Sequence, residues 1–445
     1  MILRINMQKF DYLRLILRRT IKKSTMLKKS PSKISLYIKN IKQIPKLKLK
    51  LLLIVLHTFL LIVYTISLQY THLIRLDEMT FLKWSSIVKH NVLKLDNKPV
   101  KDSVIFIDVS KDIVLEHDSI NGNIPAFADA QTVYTDRGKL AKLFSILRQH
   151  PNEYKYILCD IAFLDALPGD SILKKEIEKT PKLIAGSLFE DDQYKQPIFH
   201  IAHGCVNFYL LEENTFSKMQ IYYNDSIKTL PTAMIEGEEP SNVFSKGKLF
   251  TYHNNKPAFN NIIPEFYYRN YDLVRSDTSA HPNLFYLSEI NAVPDPLDYL
   301  KNKYIVIGNF GETDKHETYL GPMPGPLILF DTFLTLKNQT IVITISWVLF
   351  LFIFYFPISY FLIIYPKHKL NILHETIKTP VLKSLVGLYL SNLGILISIE
   401  LISFIFFKKS ISIFYIASYL TIIEFMVESI HKFKNINTKF LTSKK

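Results

Sequence analysis

Two cysteines in 445 residues leave little room for several kinds of protein. A disulfide framework needs cysteine in quantity, and Cys159 and Cys205 allow one bridge at most. Their spacing matches no metal finger, so a thiolate zinc site has no support. Whether the two pair stays open: an oxidising compartment permits a bridge, whereas Cys159, inside a strand-like run, reads as a buried free thiol. No Walker A loop occurs, since GNFGETDK (308–315) lacks the required spacing, and no phosphoacceptor motif is present. Internal repeats and low-complexity tracts are missing as well. No motif calls for a cofactor.

Long apolar runs are what the chain does have. The stretch LLLIVLHTFLLIVYTISL (51–68) is long enough to cross a hydrocarbon layer of about 30 Å as a helix. Three more follow, over 341–365, 384–407 and 411–430, and the last two are separated only by Lys408, Lys409 and Ser410. The pattern predicts one N-terminal and three C-terminal transmembrane helices, the second broken near its end by Pro357. A division follows: a basic segment 1–50, spans 51–70 and 340–365, a large domain 71–339 between them, a loop 366–383, spans 384–407 and 411–430, and a basic tail 431–445.

Charge orients this arrangement. Residues 1–50 hold 15 Lys/Arg against the single acid Asp11, which places that end in the cytoplasm by the positive-inside rule. The basic loop KHKLNILHETIKTPVLK and the basic tail agree. Residues 75–337 then lie outside; with 28 basic and 35 acidic residues they are mildly acidic, which excludes nucleic acid as a partner. Lys408 and Lys409 are the exception and are expected to snorkel. A cleaved signal peptide is the rival reading of the first span, but the long basic lead and the missing small-residue cleavage site speak against it. Within that lead, FDYLRLILRRTIKK (10–23) has helical apolar and basic spacing, readable as a membrane-surface helix or as a charged topogenic tail.

The domain alternates strand and helix patterns. SVIFIDV (103–109), YKYILCDIAF (154–163), PKLIAGSLF (181–189) and KYIVIGNF (303–310) are continuous apolar runs, and TDRGKLAKLFSILRQH (135–150) and DSILKKEIEK (170–179) have helical periodicity, the latter with Asp170 as cap. Such alternation predicts an α/β fold, a mostly parallel sheet with helices on both faces. The stretch 194–298 reads as inserted antiparallel strands and loops. Ligands of parallel sheets bind outside the carboxyl ends of the strands, where Asp108, Asp160, Gly308 and the loop carrying Asp314 and His316 all fall. These groups could hold a cation or a polar small molecule; the plainer reading is that the acids bind loop N–H groups. Whether a metal sits there is left open. Inside the apolar runs, Glu400, Glu424 and Glu428 are candidate contacts for a partner helix, Glu424 and Glu428 sharing a face.

The strand ending in Asp, the run DRGKLAKLFSIL, ILCDIAF, DSIL, LIAGS and above all YIVIGNFGETDKHETYLGPMPGPLILFDTFLTL resemble the CHASE2 family of extracytoplasmic sensory modules over most of 76–338. Tyr319 stands where that family usually has proline, Asp331 where it often has His or Asn, and its tryptophan-proline-arginine motif is reduced to Asp136 and Arg137. Members commonly carry a kinase or cyclase after the last span, whereas here only HKFKNINTKFLTSKK follows Ile430. The resemblance implies a non-enzymatic sensor of the bacterial inner membrane with a periplasmic domain. It would bind a small-molecule ligand and pass its signal through the bilayer to a membrane or cytoplasmic output protein. An envelope hydrolase with a metal-bound Asp/His cluster, and a structural subunit of an envelope complex, are the alternatives.

Overall fold

A computed structural model describes residues 46–70, 76–95, 103–117, 131–211, 215–224, 226–248, 250–277, 279, 282–338, 340–364 and 380–442. The expected surface helix over 10–23 and most of the loop 366–383 lie outside the described residues. Helix α1 spans Lys46–Leu68 and α2 Leu76–Ile87, which runs into a π-helical turn over Val88–Val92.

Six short strands form the central sheet: β1 Val104–Asp108, β2 Tyr156–Ala162, β3 Leu183–Glu190, β4 His203–Cys205, β5 Leu284–Tyr286 and β6 Tyr304–Gly308. They lie parallel in the order β5-β1-β6-β2-β3-β4, with Gln193–Lys195 folded back antiparallel on the end of β3. Every residue of β1 and β6 is buried, which is why these strands read as unbroken apolar runs rather than alternating ones. On one face pack α3 (Arg137–Gln149) and α4 (Asp170–Ile177), through Leu140, Phe144, Leu173 and Ile177 against Ile105, Ile107 and Cys159. On the other lie α5 (Leu230–Glu238) and α6 (Gly325–Lys337), whose Met234, Leu327 and Phe330 meet Phe106, Leu158 and Val306. Phe144 is fully buried, and its truncation to Ala costs about 3–5 kcal/mol. The expected α/β sheet covered on both faces is thus present.

Two local expectations change. Asp170 does not cap α4: the preceding position is Gly169, and the Asp170 carboxylate instead accepts the Leu167 N–H at 2.6 Å. The irregular stretch 194–298 does hold short antiparallel strands, but it also supplies α5 and both outer parallel strands, β4 and β5. Three residues, LFY, are too few to register as a strand by pattern. A second small sheet carries the loop of interest: Thr215–Gln220 pairs antiparallel with Asn261–Ile262 and parallel with Lys315–Thr318, which forms a hairpin with Gly321–Pro324.

Three further helices complete the chain: α7 Ile345–Ile364, α8 Pro380–Phe407 and α9 Ile413–Thr442. Among the described residues two helices, Lys48–Leu68 and Ile345–Ile364, are long and apolar enough to cross a membrane. The apolar parts of the other two expected spans, Asn392–Phe407 and Ile413–Val427, are shorter. All four helices share one core, built from residues such as Leu61, Trp347, Tyr355, Leu396 and Ile416. One end of this bundle is bonded to the α/β domain. Asn261 Nδ2 donates to Gln69 O just past α1, Tyr70 OH to Ala258 O, and Lys409 Nζ, between α8 and α9, to Thr340 O at 2.8 Å.

Candidate functional site

Asp108, Gly308 and Asp160 fall in one row across β1, β6 and β2, because Asp108 pairs with Gly308 and Ile307 with Cys159. In a parallel sheet such a row projects to one face, here the face covered by α6. Gly308 sits between the two acids, and α6 begins directly on it. A Cβ at position 308 would lie 2.4 Å from Pro326 Cγ and 3.2 Å from Asp160 Cβ. The same crowding holds one turn further out, where a Cβ at Gly325 would meet Asp314 Oδ2 at 2.8 Å. Glycine at both places is what allows the first turn of α6 to sit against the acids.

The two row acids have different employment. Asp108 is fully buried; its Oδ1 accepts the N–H groups of Ser110 at 2.9 Å and Phe310 at 3.1 Å, and Oδ2 lies 3.6 Å from Arg275 Nη2. Arg275 in turn stacks on Tyr286, 4.6 Å from the ring centre. This is the loop-fastening role open to an Asp at a strand end. Asp160 is only partly covered, yet burial, reinforced by the negative charge of Asp314, pushes its carboxyl well above the ordinary value, so it holds its proton to higher pH. Asp314, at the start of Lys315–Thr318, has Oδ1 3.4 Å from His316 Nε2, and the His316 ring meets Phe208 edge-on at 4.8 Å. The structure therefore brings Asp160, Asp314 and His316 to the N-terminal end of α6 with Gly308 beneath, and sets Asp108 aside as a turn fastener. Among the described residues no three His, Cys, Asp or Glu side chains come together in a way that could hold a metal ion.

The acids of the apolar runs are also placed. Glu400, 2% exposed, is bonded within the chain: its oxygens accept Ser410 Oγ–H at 2.7 Å and the Ile411 N–H at 2.5 Å, pinning the turn between α8 and α9. Glu424 is buried and also has interactions inside the chain. The side chain of Glu428 lies outside the described residues. Lys408 and Lys409 do not reach into solvent as expected. Lys408 Nζ is 2.9 Å from Glu265 Oε2, and Lys409, 6% exposed, bonds backbone carbonyls. Glu265 also pairs with buried Lys89 and accepts Tyr267 OH at 2.9 Å, while Asn338 Nδ2 reaches Tyr267 OH at 2.6 Å. Nothing in the local sequence of Lys89 or Glu265 announces this cluster, since its members come from segments 176 residues apart.

Both cysteines are buried and free. Burial raises both thiols, Cys205 to about 11, so neither is a reactive thiolate. In the middle of α6, Asp331 is fully buried; Oδ1 accepts the Tyr267 and Tyr268 N–H groups, and burial lifts its carboxyl well above the ordinary value. Comparison of the chain with protein-family models, with curated proteins and with solved structures finds no match.

Proposed function

We propose that the chain is a membrane-anchored sensory protein, of the kind its CHASE2-like sequence implies. Its α/β domain lies outside the bacterial inner membrane, all four apolar helices span the bilayer, and its output leaves through a partner protein rather than through catalysis of its own. The observation that carries this reading is α6. That helix starts on Gly308 and against Asp314, and at about 1.5 Å per residue its thirteen residues extend about 20 Å toward the bundle. There Thr340 accepts Lys409, and Asn338 joins the Tyr267–Glu265–Lys408 cluster. A ligand that favours one placement of the Asp160/Asp314/His316 group over another biases the same rod that ends on the spans, and its differential affinity sets how far the equilibrium moves.

Topology is the premise to test. Asn255 is exposed in a turn, and both native thiols are buried, so an Asn255→Cys chain has one accessible thiol among the described residues. A membrane-impermeant maleimide should label it in spheroplasts with an intact inner membrane. Labelling that requires lysis would put the domain in the cytosol and overturn the proposal.

A further inference from the structure

The α3 side of the same sheet edge holds a cavity of about 360 Å³, lined by Ser110, Tyr134, Arg137, Ile161, Leu188 and Asn309 among others. Its volume is in the range of small-molecule sites, and it opens at the carboxyl ends of β1, β6, β2 and β3. Arg137, the first residue of α3, is 4% exposed. Its guanidinium lies over Phe163 at 4.8 Å, and Nε is 3.2 Å from Asp170 Oδ1, yet neither Nε nor Nη1 has a hydrogen-bond acceptor. Buried donors of a charged group are costly to leave unmet, and folded proteins leave few of them. Asp136 already satisfies the helix end by accepting from Gly138 and Lys139 N–H, so the unmet demand belongs to the guanidinium.

We propose that this cavity binds a small organic carboxylate, its carboxylate on the Arg137 guanidinium and its apolar body against Ile161 and Leu188. A guanidinium fork matches a planar carboxylate, and the hydroxyls of Ser110 and Tyr134 add polar points on the wall. Charge decides against a dianion: Asp170 already faces Arg137, and Asp165 lines the same cavity. The site stands on this geometry alone and holds whatever the topology of the chain.

Purified full-length protein in detergent is titrated with benzoate and with 4-methylpentanoate, each against its primary amide, and with inorganic phosphate, reading the unfolding midpoint. Either acid should raise the midpoint saturably at millimolar concentration, with its amide at least about tenfold weaker. Arg137→Lys should weaken the acid by about tenfold or more, because a point charge replaces the planar fork. Ala162→Phe, which narrows the cavity and leaves the Arg137–Asp170 pair in place, should do the same and carries the test if Arg137→Lys unfolds. Equal shifts by acid and amide, no shift by either acid, unaltered acid binding in Ala162→Phe, or stabilisation by phosphate alone would each overturn the proposal.

Discussion

At the helix-bundle end of α6 the ionisable groups are used up. Glu265 receives Lys89, Lys408 and Tyr267, Lys409 is bound by two backbone carbonyls, and Glu400 is bound by Ser410 and Ile411. At the crevice end they are not: Arg137 Nε and Nη1 lack hydrogen-bond partners, and Asp160 is pushed toward its neutral form by burial and by Asp314. A fully satisfied network is rigid and transmits displacement, whereas spare hydrogen-bonding capacity beside a cavity is what a ligand uses. Under the proposed sensory reading, the crevice end of the helix would receive a ligand and the bundle end would pass the displacement on.

The contrast can be broken most severely at the satisfied end. Glu265→Ala would remove the carboxylate that faces the buried ammonium of Lys89 and the partly buried one of Lys408, and should cost about 3–5 kcal/mol in denaturant unfolding of the full chain. A loss below about 1 kcal/mol would mean that the cluster is solvated and cannot act as a rigid joint. Midway along α6, Asp331→Ala orphans the Tyr267 and Tyr268 N–H groups and should cost about 1–3 kcal/mol for each, while Asp331→Asn keeps the accepting oxygen and should cost far less.

The smallest effect is at the crevice and is read as a pH slope. Asp160 has a folded-state value raised above its unfolded one near 3.8, so the folded chain binds the proton more tightly. Its contribution to stability is full below that value and is lost as pH rises toward the raised folded value. Asp160→Asn should therefore flatten the decline in unfolding midpoint above pH 3.8 and change little below it. An unchanged slope would mean that Asp160 is as well solvated as a surface acid.

Much of the domain could be read from pattern because its strands are buried on both faces. VIFID and YIVIG have no polar residue before their ends, and the helical spacing of Leu140, Leu143, Phe144 and Leu147 announces α3. What escaped was whatever depends on distant chain segments meeting. β5 is three residues long and is a strand only because β1 lies beside it. Arg275 carries no local sign that it will approach Asp108, and Lys408 looked like a hairpin charge because Glu265 is far away in sequence. Within the candidate site, the position of Asp108 was legible but its role was not. An Asp at a strand end looks the same whether it faces a ligand or two backbone N–H groups.

The core that holds α6 does not stop at the domain boundary drawn from the sequence. The cluster containing Phe106, Phe330 and Leu336 also includes Ile341 and, from α8, Phe404, and Phe259 of the domain packs edge-on against Trp347 of α7. Severing the domain at position 339 would therefore leave an apolar wound. A fragment cut there would aggregate or lose its shape, so the domain and the apolar helices form one folding unit that cannot swivel on a stalk.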